Sequence, residues 1–338
     1  MRPSHGLQRW TVLCFGLAAA VWAVSCQPTA KSPTDEKVAA ADYEVHEWGL
    51  VRLGQLSEVA TSAAPLPDPV RLDGGSIDLA VPKKPVLYFH RGPEFEDATR
   101  IDVELELAHG TLQEVWPTPN AGPQPSHGKS FAWRGLELLS TPCGAEVVPA
   151  ASSPACASLP AGALCEAAEL ARYVTPSPTC LRTGGVDTPV LLYNGILKGP
   201  QPPLLFAPGP SGVALTNPGS HPVGPLWALS DGRLYAFDLM VPSDSVRLIP
   251  GGGEPYAEAL PKLRKDVAAS LVSVGLTAAE ADQFVAAWET DVLGDAPTWR
   301  VFGLYAQKTV DEMFPLTLTP PPKEVVRALF FTIEGATK

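Results

Sequence analysis

Two histidines with aromatic and acidic neighbours are the residues of this sequence best suited to chemistry. His46 sits in Tyr-Glu-Val-His-Glu-Trp-Gly at positions 43–49, and His90 lies near the end of KPVLYFHR at 84–91. Imidazole ligates transition metals and moves protons near neutral pH. On an extended strand His46 and Trp48 share one face, with Val45 and Glu47 on the other; Tyr88 and His90 likewise share a face. If the strands pair with these faces together, His46 and His90 approach each other beside Glu47 or Glu94. Two imidazoles and a carboxylate would make a divalent-metal site. The plainer reading is structural: a half-buried imidazole hydrogen-bonded within a core, and Glu47 paired with Arg52 or Arg91 to hold strands in register.

Other residues invite similar pairs of readings. Trp48, Tyr88, Trp116 and Trp133 would line a groove for sugar or peptide, or pack the interior of a sheet, where aromatics are favoured. Glu94, Glu96 and Asp97 would serve as glycosidase carboxylates, or form a solvated loop. The sequence contains no GxSxG, HExxH, GxxxxGK[ST] or GxGxxG, so no catalytic set and no cofactor is assigned. Gly251-Gly252-Gly253 lacks a following Lys and reads as a linker.

The elements that must position these groups begin after a leader. Residues 1–9 carry Arg2 and Arg9 without an acid, and residues 10–24 are uncharged. That run is shorter than the roughly 20 residues of a membrane span and fits a cleaved signal over residues 1–25. Ala23-Val24-Ser25-Cys26 resembles the lipobox of bacterial lipoproteins, which implies a lipid on Cys26; Gln27 after it fits an outer-membrane address. Residues 26–42 read as a flexible tether.

Cysteine parity agrees with this. With Cys14 removed and Cys26 acylated, Cys143, Cys156, Cys165 and Cys180 remain, an even set for an oxidising compartment. Two disulfides are expected. Of the three possible connectivities, the sequential one (Cys143 with Cys156, Cys165 with Cys180) closes the shortest loops. Without a CxxC pair, or a His between positions 143 and 180, these cysteines do not read as a zinc site.

Loss of the leader's two Arg takes the formal charge from -11 to -13. That balance excludes a phosphate-binding face for nucleic acid, and leaves membrane attachment to acyl chains rather than to basic residues. Strand-like runs broken by Pro and Gly fill residues 43–250, with 37 Pro in the chain. Ile101, Val103, Leu105 and Leu107 alternate with acids. Positions 84–91, 111–116, 131–139, 190–193, 226–229 and 233–239 are further strands, the last two joined by a turn at Ser230-Asp231-Gly232.

Residues 251–338 change character. Leu260, Leu263, Val267, Leu271 and Val274 predict a helix ended by Gly275. A capping box at Thr277-Ala-Ala-Glu280 then starts a second, with Ala281, Phe284, Val285, Trp288 and Val292 on its apolar face. Strands at 299–306 and 325–333 follow, around a Pro-rich stretch at 313–322 expected not to be helical throughout. The expected fold is α+β, predominantly antiparallel and sandwich-like, with a C-terminal helical hairpin and closing strands packed on the β region as one domain.

On the motifs at 43–49 and 84–91, together with GTLQEVWPTP (110–119), AWRGLEL (132–138), LLYNG (191–195), GLTAAEADQFVAAWE (275–289) and FPLTLTPPPKEVVRAL (314–329), the chain resembles a bacterial family of uncharacterised envelope proteins with an N-terminal His-Glu-Trp-Gly motif. The resemblance spans the mature chain and implies an envelope location without an activity. Leu50-Val51-Arg52 stands where that pattern has Thr-Phe-Thr, and Asn194 where it favours Arg.

Two functions follow as expectations. The first is a non-enzymatic, lipid-anchored envelope protein that binds a protein or glycan partner. The alternative is a hydrolase or metal-dependent enzyme centred on His46, Glu47 and His90.

Overall fold

Period-two patterning and turn-forming residues shape most of the backbone. The computed structural model describes residues 39–54, 79–121, 129–143, 179–198, 203–209, 211–289, 292–294 and 299–335. In chain order these form β1 (Ala41–Gly54), β2 (Leu79–Arg91), β3 (Arg100–Glu106), β4 (Gly110–Trp116), β5 (Ser130–Leu139), β6 (Cys180–Thr183), β7 (Val186–Thr188) and β8 (Leu191–Lys198). Next come β9 (Leu205–Gly209), β10 (Gly212–Thr216), β11 (Val223–Ser230), β12 (Arg233–Phe237), β13 (Ser245–Leu248) and β14 (Glu254–Pro255). Helices α1 (Tyr256–Ser273) and α2 (Ala278–Ala287) precede β15 (Trp299–Tyr305), α3 (Gln307–Met313), β16 (Leu316–Thr319) and β17 (Pro322–Gly335).

A nine-stranded sheet, ordered β14-β12-β11-β15-β17-β1-β2-β8-β4, divides the interior. On one face lie a five-stranded sheet (β16-β3-β5-β6-β7) and a three-stranded one (β13-β10-β9). Val45, Leu87, Phe89 and Tyr193 meet Ile101, Val103, Trp133 and Leu136 there. On the other face Trp48, Val86, Tyr88 and Phe330 meet Leu263, Val267, Phe284 and Trp288 from the helices. Each such large side chain contributes about 1.5–3 kcal/mol by leaving water. The architecture is α+β and mostly antiparallel, with β1 and β17 running parallel.

Local signals explain several elements. In β3, Ile101, Val103 and Leu105 are buried while their neighbours face outward. The β11–β12 hairpin turns on Asp231 and Gly232, both at positive φ (50° and 70°), as the twist of a two-residue hairpin requires. Helix α1 ends in a Schellman closure. Gly275 (φ 111°) donates to the carbonyl of Val272 and Leu276 to that of Leu271, which satisfies carbonyls the helix leaves open.

Two expectations change and one is met. Val274 is not on the buried stripe: it is the C-cap of α1, past the last helical turn, and stands exposed. The Pro-rich stretch is not helical throughout, as expected: α3 ends at Met313 and β16 follows, with Leu316 and Leu318 paired to Leu105 and Val103 of β3. The sequential disulfide pairing does not form, because Cys143 bonds Cys180, with Cα atoms 4.9 Å apart. Antiparallel pairing of β5 with β6 sets Leu139 opposite Cys180, so sheet register rather than loop length selects the partner. Cys26, Cys156 and Cys165 lie outside the described residues.

Candidate functional site

The β1–β2 ladder supplies the first two groups. His46 stands opposite Tyr88, and Glu44 opposite His90. Alternation puts all four on the face that carries the helices, and the two imidazole centroids lie 4.3 Å apart as diagonal neighbours. The third group arrives from above. Glu280, three residues into the capping box of α2, accepts at Oε1 from His90 Nε2 (2.9 Å) and at Oε2 from His46 Nδ1 (2.9 Å).

Glu280 is fixed from its own side as well. The backbone N–H and the hydroxyl of Thr277 both donate to its Oε2 at 2.8 Å, while Glu280 N–H donates to Thr277 Oγ1 at 3.2 Å. Burial by itself would raise the carboxyl's pKa. The hydrogen bonds from His46 and His90, the His46 charge and the Thr277 backbone outweigh it and hold Glu280 well below the usual carboxylate range. Glu280 is therefore an ionised acceptor, and both imidazoles must turn an N–H toward it.

One ligand atom from each of His46, His90 and Glu280 lies within 4.8 Å of the others. His46 and Glu280 are buried, whereas the His90 side chain keeps 22% of its surface in water, so the group opens outward past His90. Tyr88 donates to Gln283 Oε1 of α2 at 2.8 Å. Burial, and then the charge on Glu280, push the Tyr88 phenol far above its ordinary range.

Glu47 does not join this group. It points through the sheet to the opposite core and is fully buried, where Tyr193 donates to its Oε1 at 2.5 Å and Arg327 Nε donates to its Oε2. The expected partners Arg52 and Arg91 are replaced by Arg327, its register partner on β17. Arg91 instead donates to the carbonyls of Leu138 and Phe95 and pairs with Asp97. Glu94 is not a third ligand either. It is exposed in the loop after β2, where its backbone N–H donates to Asp42 Oδ2.

The aromatic set is divided by the same sheet. Trp48 stacks on Tyr88 and meets Phe284 edge-on in the helix-side core, and Trp116 packs partly buried against that core. Trp133 belongs to the opposite core and donates to Pro117 O. Glu94, Glu96 and Asp97 are exposed around the buried Phe95.

Sequence reasoning read Glu280 only as a capping acid. A signal was present: Glu280, Phe284 and Trp288 recur at four-residue spacing, so an acid stands on the apolar stripe of α2.

No family model and no curated protein matches the chain. Among solved structures, the Fcho1 Mu homology domain of Danio rerio with bound Eps15 peptide aligns over 89% of this chain and 99% of that chain, at 7% identity and a TM-score of 0.33. A likeness at that score carries no argument.

Proposed function

We propose that the chain is a lipid-anchored cell-envelope protein whose folded domain binds one divalent transition-metal ion through His46, His90 and Glu280. One observation carries the metal reading: two imidazoles and a carboxylate from three separate elements converge within ligand distance. Nitrogen-rich donor sets favour zinc, nickel, cobalt or copper over magnesium or calcium. Bonds of about 2.0–2.1 Å put the ligand atoms of a tetrahedral zinc site about 3.3 Å apart. Each imidazole stands 2.9 Å from a different oxygen of Glu280, so side-chain rotations must gather one ligand atom from each residue about a single ion.

Glu47 is committed to Arg327, which removes the carboxylate that a hydrolytic role for His46, Glu47 and His90 required. The lipobox-like residues ending at Cys26 support the anchor, and an envelope protein or glycan is the partner such a location offers. Without metal, the same three residues act as a hydrogen-bonded latch that fastens α2 to the sheet.

The test is elemental analysis and zinc titration of the purified mature protein. One equivalent per chain is expected, with loss in His46→Ala, His90→Ala and Glu280→Ala and retention in His221→Ala, whose imidazole pairs elsewhere with Glu312. Absence of stoichiometric zinc, nickel, cobalt or copper, or uptake that survives all three ligand variants, defeats the metal reading. Metabolic labelling with a fatty acid tests the anchor: Cys26→Ser is expected to abolish the label and release the protein from the membrane fraction.

A further inference from the structure

Metal binding at Nδ1 of His46 requires that this nitrogen give up its proton. In the latch, Nδ1 of His46 carries the proton that it donates to Glu280 Oε2 at 2.9 Å. To ligate, Nδ1 must present its lone pair, and the proton of a neutral imidazole then resides on Nε2. Buried, that N–H needs an acceptor. The nearest carboxylate is Glu44, whose Oε2 lies 3.9 Å from His46 Nε2.

Glu44 is placed for this by the ladder itself. It shares the face of His46 two residues away and stands opposite His90. Its side chain is 46% exposed, so it is free to rotate by the ångström or so that separates 3.9 Å from a hydrogen bond of about 2.8 Å. A carboxylate behind a ligating imidazole fixes ring orientation and tautomer and raises ligand basicity. Glu44 and Glu280 thus flank His46 on its two ring nitrogens.

Resting on the metal reading above, we infer that Glu44 is the outer carboxylate of the site: a positioning residue that accepts the Nε2–H of His46 when the ion binds, and not a ligand. The same ladder gives His90 no comparable role for Glu44, because His90 faces the site through Nε2 and would carry its proton on Nδ1.

The experiment is cobalt(II) titration of the mature protein followed by calorimetry and visible absorption, with Glu44→Gln and Glu44→Ala beside the wild type. Glu44→Ala is expected to weaken binding about 10–100-fold, with one ion per chain and an unchanged ligand-field spectrum. Glu44→Gln, which keeps an acceptor oxygen without the charge, is expected to fall between. Affinities within twofold of wild type for both variants overturn the inference while leaving the metal site standing. A changed cobalt spectrum overturns it too, by making Glu44 a ligand. Failure of the wild type to take up cobalt, zinc, nickel or copper is a different result, which removes the metal reading and this role together.

Discussion

His46 and Glu47 are adjacent in the chain, yet their side chains serve opposite halves of the molecule. His46 reaches Glu280 on the helical face, and Glu47 reaches Arg327 and Tyr193 in the core between the sheets. A strand sends successive side chains to opposite faces, so one dipeptide fastens both layers to β1.

The Glu47–Arg327 pair is fully desolvated, and stranding either charge is costly. Glu47→Leu or Arg327→Met is expected to lose about 3–5 kcal/mol, with most of it recovered in the double variant. Urea denaturation of all three provides the measurement. A double variant no more stable than the worse single one contradicts the pairing.

Glu280 makes the metal-free domain acid-sensitive. Its folded-state pKa lies below the ordinary 4.5, so its contribution is fully present above that value and disappears as pH falls through the folded-state value. Melting temperature followed from pH 7 downward is expected to drop more steeply below about pH 4.5 in the wild type than in Glu280→Gln. Parallel curves for the two proteins would refute this.

The disulfide has a covalent readout. Peptide mapping under non-reducing conditions is expected to recover a Cys143–Cys180 cross-link and no Cys143–Cys156 peptide. Cys143→Ser is expected to cost about 2–5 kcal/mol, read by denaturant titration in the absence of reductant.

The hairpin between α1 and α2 depends on two small details. Gly275 has φ 111°, and a Cβ there would lie 2.8 Å from Val326 Cγ2 of β17. Gly275→Ala is expected to cost more than about 1 kcal/mol, and Thr277→Ala, which removes the cap, about 1 kcal/mol. Thermal melts of both variants check these values. If Gly275→Ala matches the wild type, the close packing of this turn on β17 is wrong.

What the sequence revealed was local. The alternation through Ile101–Val103–Leu105, the Asp231-Gly232 turn and the Thr277–Glu280 capping box each lie within a few residues, and each formed as its spacing predicts. Convergence of His46 with His90 was also legible, because strand alternation constrains faces. For the third member the sequence marked only an acid on an apolar stripe, not the histidines it meets. Glu280 lies 234 residues from His46 and Arg327 lies 280 from Glu47, and nothing in a single sequence announces such register. Proximity along the chain misled twice, by offering Glu47 as the carboxylate and Cys156 as the partner of Cys143. β16 escaped notice because Pro315, Pro320, Pro321 and Pro322 masked a four-residue strand between them.

β17, the central strand of the nine, pairs with β1, which it follows by 280 residues at the Glu47–Arg327 position. β1 therefore precedes its parallel neighbour by most of the chain, and until β17 joins, the middle of the sheet presents raw strand edge open to mispairing. Closing so distant a contact carries the largest loop-entropy cost among the described strand pairs. The architecture resists piecemeal assembly: a nascent polypeptide stays unfinished at its centre until residues 322–335 arrive to zip the two halves together.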